Sequence, residues 1–342
     1  MRLRRGFPII IAVLLVAAAV AVVVVLRKHA PPEPARLLPG ADGFAYFNLA
    51  WMRRANLLGE LPPVPHDADY EQFIQATGFQ FERDLDEAAF AVHYASSGQQ
   101  PRFSEIFVGK IQTERLRAYL SKLANSTENY RSVEVYNIPV EARTLRVAIL
   151  GLDTVAASNV DDPTVIQGII NRSRKLASPF AGPALLRQYY KHVPLTSEAW
   201  GILRIQPQAG LHVESWGFMF QTPAVMVASV RYLRSLNLKA VAFTDSEEDA
   251  KQLTERFATF FDLFHAAEVS TGVQGTDPDV KALFDSLKIE QQKSRAIITA
   301  TMPVGFLRKA LAEAPVAASP ATTPRQEPEA VPESNAAKAR HK

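Results

Sequence analysis

From Pro8 to Leu26 the chain reads PIIIAVLLVAAAVAVVVVL, nineteen consecutive residues without a polar side chain. At ~1.5 Å rise per residue a helix over this run would be about 28 Å long, close to the ~30 Å hydrocarbon core of a bilayer. A β-branched run of this kind makes a poor helix in water, but in lipid the helix is the single-segment form that satisfies its own backbone hydrogen bonds. A cleaved signal peptide would need a shorter apolar stretch and a small-residue cleavage site. Here the run ends in Arg27, Lys28 and His29. The expectation is therefore an uncleaved single-pass signal anchor, set in the inner membrane if the host is a Gram-negative bacterium. Arg2, Arg4 and Arg5 on the N-terminal flank favour a cytoplasmic N-terminus, with the soluble part periplasmic or extracellular.

Charge elsewhere removes one class of partner. The whole chain carries 38 Lys and Arg against 35 Asp and Glu. Setting aside the five cations that flank the apolar run, Arg2, Arg4, Arg5, Arg27 and Lys28, leaves 33 basic against 35 acidic residues. No basic excess remains to recruit nucleic acid. Cysteine is absent from the sequence, which excludes disulfides, thiolate nucleophiles and thiolate metal sites.

Composition shifts divide the chain into a cytoplasmic stub (1–7), the apolar segment (8–26), a proline-rich spacer (27–36), a body, and a tail (313–342). The spacer sequence APPEPAR favours polyproline II. The tail repeats proline among Ala, Thr, Ser and Glu with no aromatic residue to bury, so it is expected to stay disordered. Within the body, short alternating strands and amphipathic helices recur in a similar order in two stretches, 37–178 and 179–312. Leu145, Val147 and Ile149 alternate with Arg146, Ala148 and Leu150, a period-2 pattern. In the second stretch, Ser246 and Asp249 form an S-x-x-D start signal, and Leu253, Phe257, Phe260 and Phe264 make one apolar stripe over Glu247–Ala267. That stripe reads as core. Hairpin-linked strands beside such helices give an α+β fold with mostly antiparallel sheets, built from two similar halves that suggest an internal duplication.

The search for chemistry returns little. The G-x-S-x-G, H-E-x-x-H, G-x-x-x-x-G-K-[ST] and G-x-G-x-x-G patterns are all missing from the sequence, so no catalytic residues, no enzymatic activity and no cofactor are expected. His66, Asp67 and Asp69 form one imidazole–carboxylate cluster of the type a divalent metal uses. Their position after Pro62, Pro63 and Pro65 and before a helix points instead to turn and cap roles, with Asp69 as the N-cap. Asp162, followed by Pro163, reads as a second cap. His93 and His265 have no identifiable partner in the sequence. Trp216, Phe218 and Phe220 are the candidates for lining an apolar ligand or partner groove, against the ordinary reading of core filling.

At LPGAD (38–42), DYEQF (69–73), TGF (77–79), RDL (83–85) and DSEEDA (245–250) the chain resembles an uncharacterised family of bacterial membrane-anchored proteins that carry a domain of unknown function. The resemblance implies an anchored extracytoplasmic α+β domain and brings no catalytic residues. Three functions follow as expectations. The first is a non-enzymatic interaction or scaffold domain with an envelope protein partner. The second is a binding module for a lipid or other apolar ligand. The third is a hydrolase whose site is dispersed over both halves.

Overall fold

The computed structural model describes residues 30–56, 66–94, 100–174, 182–207, 219–233, 235–270 and 278–312. Its framework is one sheet of twelve antiparallel strands. In chain order these are β1 (Gly43–Asn48), β2 (Leu85–His93), β3 (Arg102–Gly109), β4 (Ser126–Tyr130), β5 (Val133–Val140), β6 (Arg143–Ile149), β7 (Thr154–Ser158), β8 (Ala199–Ile205), β9 (Ala224–Tyr232), β10 (Leu236–Thr244), β11 (Lys288–Gln291) and β12 (Arg295–Met302). Across the sheet the order is β11-β12-β10-β9-β8-β1-β2-β3-β7-β6-β5-β4. The seam is the β1–β8 pair, which sets Phe44 opposite Ile202 and Tyr46 opposite Trp200. Outward from that seam each side runs three adjacent strands, then a helix to the sheet edge, then strands that return to the third. The two sequence stretches are therefore parts of one sheet.

Helices cover both faces. On the first face lie α3 (Ala68–Thr77), α4 (Phe81–Asp84) and α5 (Thr113–Leu123), then α8 (Glu247–Ser270) and α9 (Pro278–Ser286). The opposite face is covered by α1 (Glu33–Leu37), α6 (Thr164–Arg174) and α7 (Ala184–Tyr189). Short α2 (Leu49–Arg54) follows β1, and α10 (Val304–Ala312) closes the described chain. The period-2 pattern explains how one sheet serves two cores. Val147 packs with Leu120 and Tyr136 under α5, while its neighbour Ala148 joins Ile166, Ile169 and Ile170 of α6 on the other side.

Three expectations are corrected. Among the described residues no helix is long and apolar enough to cross a membrane. The single-pass helix expected over 8–26 lies outside the described residues, and the fold is an antiparallel α+β sheet with no transmembrane element among those residues. The spacer expected over 27–36 is, in its second half, helix α1, whose Ala35 and Leu37 are buried with the adjoining Leu38 in the largest core cluster. Pro32 and Pro34 sit at the start of this helix, where a missing N–H costs nothing. Proline here marks a helix start, and composition alone could not separate that from an extended linker. Asp67, not Asp69, caps α3, accepting a hydrogen bond from the Tyr70 backbone N–H at 2.7 Å. The tail over 313–342 lies outside the described residues.

Candidate ligand-binding site

Between the sheet and helices α8 and α9 lies a cavity of about 670 Å³. Its floor comes from strand register. Gly201 of β8 faces Ala228 of β9, and Ala228 faces Ala240 of β10. Three strands in succession thus present a small residue in one row, flanked by larger rows containing Leu203 and Met226 on one side and Val230 and Leu238 on the other. A row of small side chains under large ones leaves a trough. The roof is aromatic and aliphatic: Phe257, Phe260 and Phe261 from α8, Leu283 and Phe284 from α9, and Leu287 just beyond it.

The roof is held by local chemistry that is legible in the sequence. Ser246 Oγ accepts the Asp249 backbone N–H at 3.0 Å and donates to the Asp249 carboxylate at 2.6 Å, which fixes the start of α8. One turn on, Ala250 is buried, and Leu253 and Phe257 pack in one cluster with Ala242 and Ala296. The stripe on α8 then divides. Leu253 and Phe257 anchor the helix, while Phe260, with its neighbour Phe261, reaches the cavity.

Polar lining is sparse. It consists of Tyr94 and Gln206, with Ser229 and Lys239 bordering the cavity from strand positions whose side chains belong to the other face of the sheet. Tyr94 donates its hydroxyl to the Arg204 carbonyl at 2.5 Å, and Ser229 donates to the Lys239 carbonyl at 3.3 Å. Burial, with the nearby Asp42 carboxylate, pushes the Tyr94 phenol far above its ordinary range. Neither hydroxyl is therefore an acid or base at neutral pH.

Of the three aromatic candidates, Phe220 lines the cavity, is 4% exposed, and stacks edge-on against Phe257 with ring centroids 5.8 Å apart. Trp216 and Phe218 lie outside the described residues. Ala228 and Ala240 carry no sequence signal for a site, because their role depends on which strands are neighbours.

The metal candidates separate. His66 faces Glu71, at 2.8 Å from Nδ1, and Glu82, at 3.5 Å from Nε2, while Asp67 is turned to its capping role. Among the described residues no group of three or more His, Asp or Glu could hold a metal ion. Replacing Asp67 with alanine is expected to lower stability by about 1 kcal/mol, the usual value of an N-cap carboxylate. Asp69→Ala should change it much less, and paired thermal melts distinguish the two.

Asp162 caps the start of α6 through the Thr164 N–H at 2.8 Å, and Asp161 pairs with Arg102 at 2.7 Å. The side chain of His265 lies outside the described residues. His93 does have a partner: its Nε2 is 3.2 Å from Ser104 Oγ, which is 3.0 Å from Ser158 Oγ. A serine beside a histidine is the arrangement of an activated nucleophile. Ser104, however, is 0% exposed and Ser158 2%, and burial lowers the affinity of His93 for a proton. Neither serine lines the cavity. This chain of hydrogen bonds holds strands β2, β3 and β7 together.

Glu105 is the unusual acid of the first face. It lies on β3 between Phe90 and Ala157, half-buried, and its carboxylate makes no hydrogen bond among the described residues. Burial raises its carboxyl above the ordinary 4.5. The folded protein thus holds this proton more tightly than the unfolded chain does, and its contribution to stability falls as pH rises above 4.5 through the raised value. Glu105→Gln should therefore raise the melting temperature at pH 7, with the gain vanishing near pH 4. A variant no more stable than the parent at pH 7 would contradict this account.

Comparison with known proteins gives a distant structural likeness and no family assignment. No protein-family model matches the chain, and no curated protein matches it. Among solved structures the chain is similar to TP0453 in crystal forms III, IV and I, with TM-scores of 0.44, 0.43 and 0.42. The identities are 12%, 13% and 13%, over 82%, 82% and 83% of this chain and 98%, 97% and 98% of the other.

Proposed function

We propose that this protein binds a lipid-like apolar ligand of the acyl-chain class between the sheet and helices α8 and α9. The observation that carries the reading is the cavity itself. Its volume of about 670 Å³ falls within the roughly 300–1,000 Å³ of small-molecule sites, and its walls are almost wholly hydrocarbon. Burying a chain of about a dozen methylenes at ~0.8 kcal/mol each gives a gross gain of about 10 kcal/mol. Association and ordering costs reduce this substantially.

The chemistry favours binding over turnover. A hydrolase needs a nucleophile or activated water and a general base at the ligand. The hydroxyls here are committed to carbonyls, and Ser104, the partner of His93, is wholly buried in the sheet core. A scaffold role makes no use of the cavity.

The test is titration of the full-length chain with a fluorescent fatty acid, together with native mass spectrometry of the purified protein. Saturable binding with one-to-one stoichiometry supports the reading. A probe response that never saturates, with no mass adduct, removes it. The apolar stretch 8–26 can itself attract such a probe, so assignment to the cavity depends on a variant within it.

A further inference from the structure

The face of the second half opposite the cavity carries a cluster of cations in strand register. Arg231 of β9 stands opposite Asn237 of β10, and Asn237 opposite Thr301 of β12. The next row on the same face is Ser229, Lys239, Thr299 and Lys288, the last from edge strand β11. Diagonal neighbours in such a grid lie ~7–8 Å apart, within reach of long side chains. Arg231, Lys239, Lys288, Thr299 and Thr301 line a concavity of about 300 Å³, bounded by Pro194 and Ser286.

None of these three cations has a side-chain hydrogen bond or ion pair among the described residues. The Nε of Arg231 is shut off from solvent without an acceptor. Two carboxylates border these rows among the described residues: Glu290, one row further along β11, and Glu198, next to Ala199 at the head of β8, which accepts a hydrogen bond from the Asn48 amide at 2.9 Å. The positive field extends to the adjoining loop. His192 is held below its ordinary value first by burial and then by Arg295, Lys191 and Lys239. Ordinary surface chemistry intersperses opposite charges, and like charges on neighbouring positions of a sheet repel. Lysine at a sheet edge discourages edge-to-edge pairing, which accounts for Lys288. It leaves Arg231 and Lys239, on interior strands, unexplained.

We propose that this concavity is a binding site for a small phosphate-type oxyanion. Guanidinium and ammonium groups would supply charge-assisted hydrogen bonds, and the threonine hydroxyls and the Asn237 amide would supply neutral donors. The site lies on the opposite face of the sheet from the apolar cavity, with Ser229, Leu238, Lys239 and Ala300 of the intervening strands bordering both, and it does not depend on the acyl-ligand reading.

Calorimetric titration of the full-length chain with inorganic phosphate tests it. Saturable binding is expected to weaken at least tenfold in Arg231→Gln/Lys239→Gln and to survive in Arg231→Lys/Lys239→Arg. Lys288→Gln at the exposed edge gives an intermediate loss, and it keeps the test open should the double variant lose its fold. Absence of saturable binding overturns the proposal, as does parental affinity in the double glutamine variant. Binding to phosphatidylglycerol vesicles that inorganic phosphate neither mimics nor competes with also overturns it, in favour of a lipid surface.

Discussion

Replacing Ala240 with phenylalanine is expected to lower affinity for a fluorescent fatty acid by roughly tenfold or more, about 1.4 kcal/mol for each factor of ten. Ala240 sits in the row of small residues that forms the trough, between Ala228 and Ile298. A phenyl ring there occupies the volume a ligand chain would take. Overpacking a filled core costs about 1–3 kcal/mol, but this ring enters space that is already open, so the melting temperature should hold or rise. Ala228→Leu reaches the same space from the neighbouring strand and should give the same pattern with a smaller effect. Leu152→Ala, at a site 84% exposed and outside the cavity lining, serves as the control and should leave binding unchanged. If both trough variants bind the probe as well as the parent, the cavity is not the site. Retained binding in that case would fall to residues outside the trough, the apolar 8–26 stretch first among them.

Trp200→Ala is expected to be the most damaging single substitution, at roughly 3–5 kcal/mol, the usual cost of truncating a buried large aromatic. Trp200 is 3% exposed, stacks on Tyr46 at 5.7 Å across the β1–β8 seam, and meets Tyr190 edge-on at 5.2 Å. That seam joins the two sides of the sheet, so losing it weakens both at once. Denaturant unfolding should show one transition displaced to lower midpoint, and hydrogen exchange should quicken in β2 and β9 alike. Loss of protection confined to one side would show that the sides unfold independently. Trp200→Phe separates packing from polarity. The indole N–H is buried without an acceptor among the described residues, a state that costs about 1–3 kcal/mol. Phenylalanine removes that cost while keeping a ring on Tyr46, so it should be far milder than alanine.

The two predictions draw on different kinds of information. The Ser246–Asp249 cap and the Leu253–Phe257 stripe of α8 are interactions between residues three or four apart, so their spacing in the chain already specifies them. The alternation in β6 is equally local: side chains two apart share a face whatever the partner strand. The cavity is different. Phe260 and Phe261 look like core residues in the chain, and Ala228 and Ala240 look like nothing in particular. Their joint meaning depends on β8, β9 and β10 lying side by side at one register. The helix over Glu33–Leu37 was hidden for a related reason, since its apolar residues are stabilised by α6 and β2, which come much later in the chain.

By itself, then, the sequence determined the Ser246–Asp249 start of α8, the strand periodicity and the α+β character, all of which follow from neighbours along the chain. Only the tertiary structure decided that two stretches make one twelve-stranded sheet, that a row of small residues opens a cavity beneath α8, and that cations gather on the opposite face. These depend on strand register, a long-range choice in which a shift of one residue would turn every side chain to the other face.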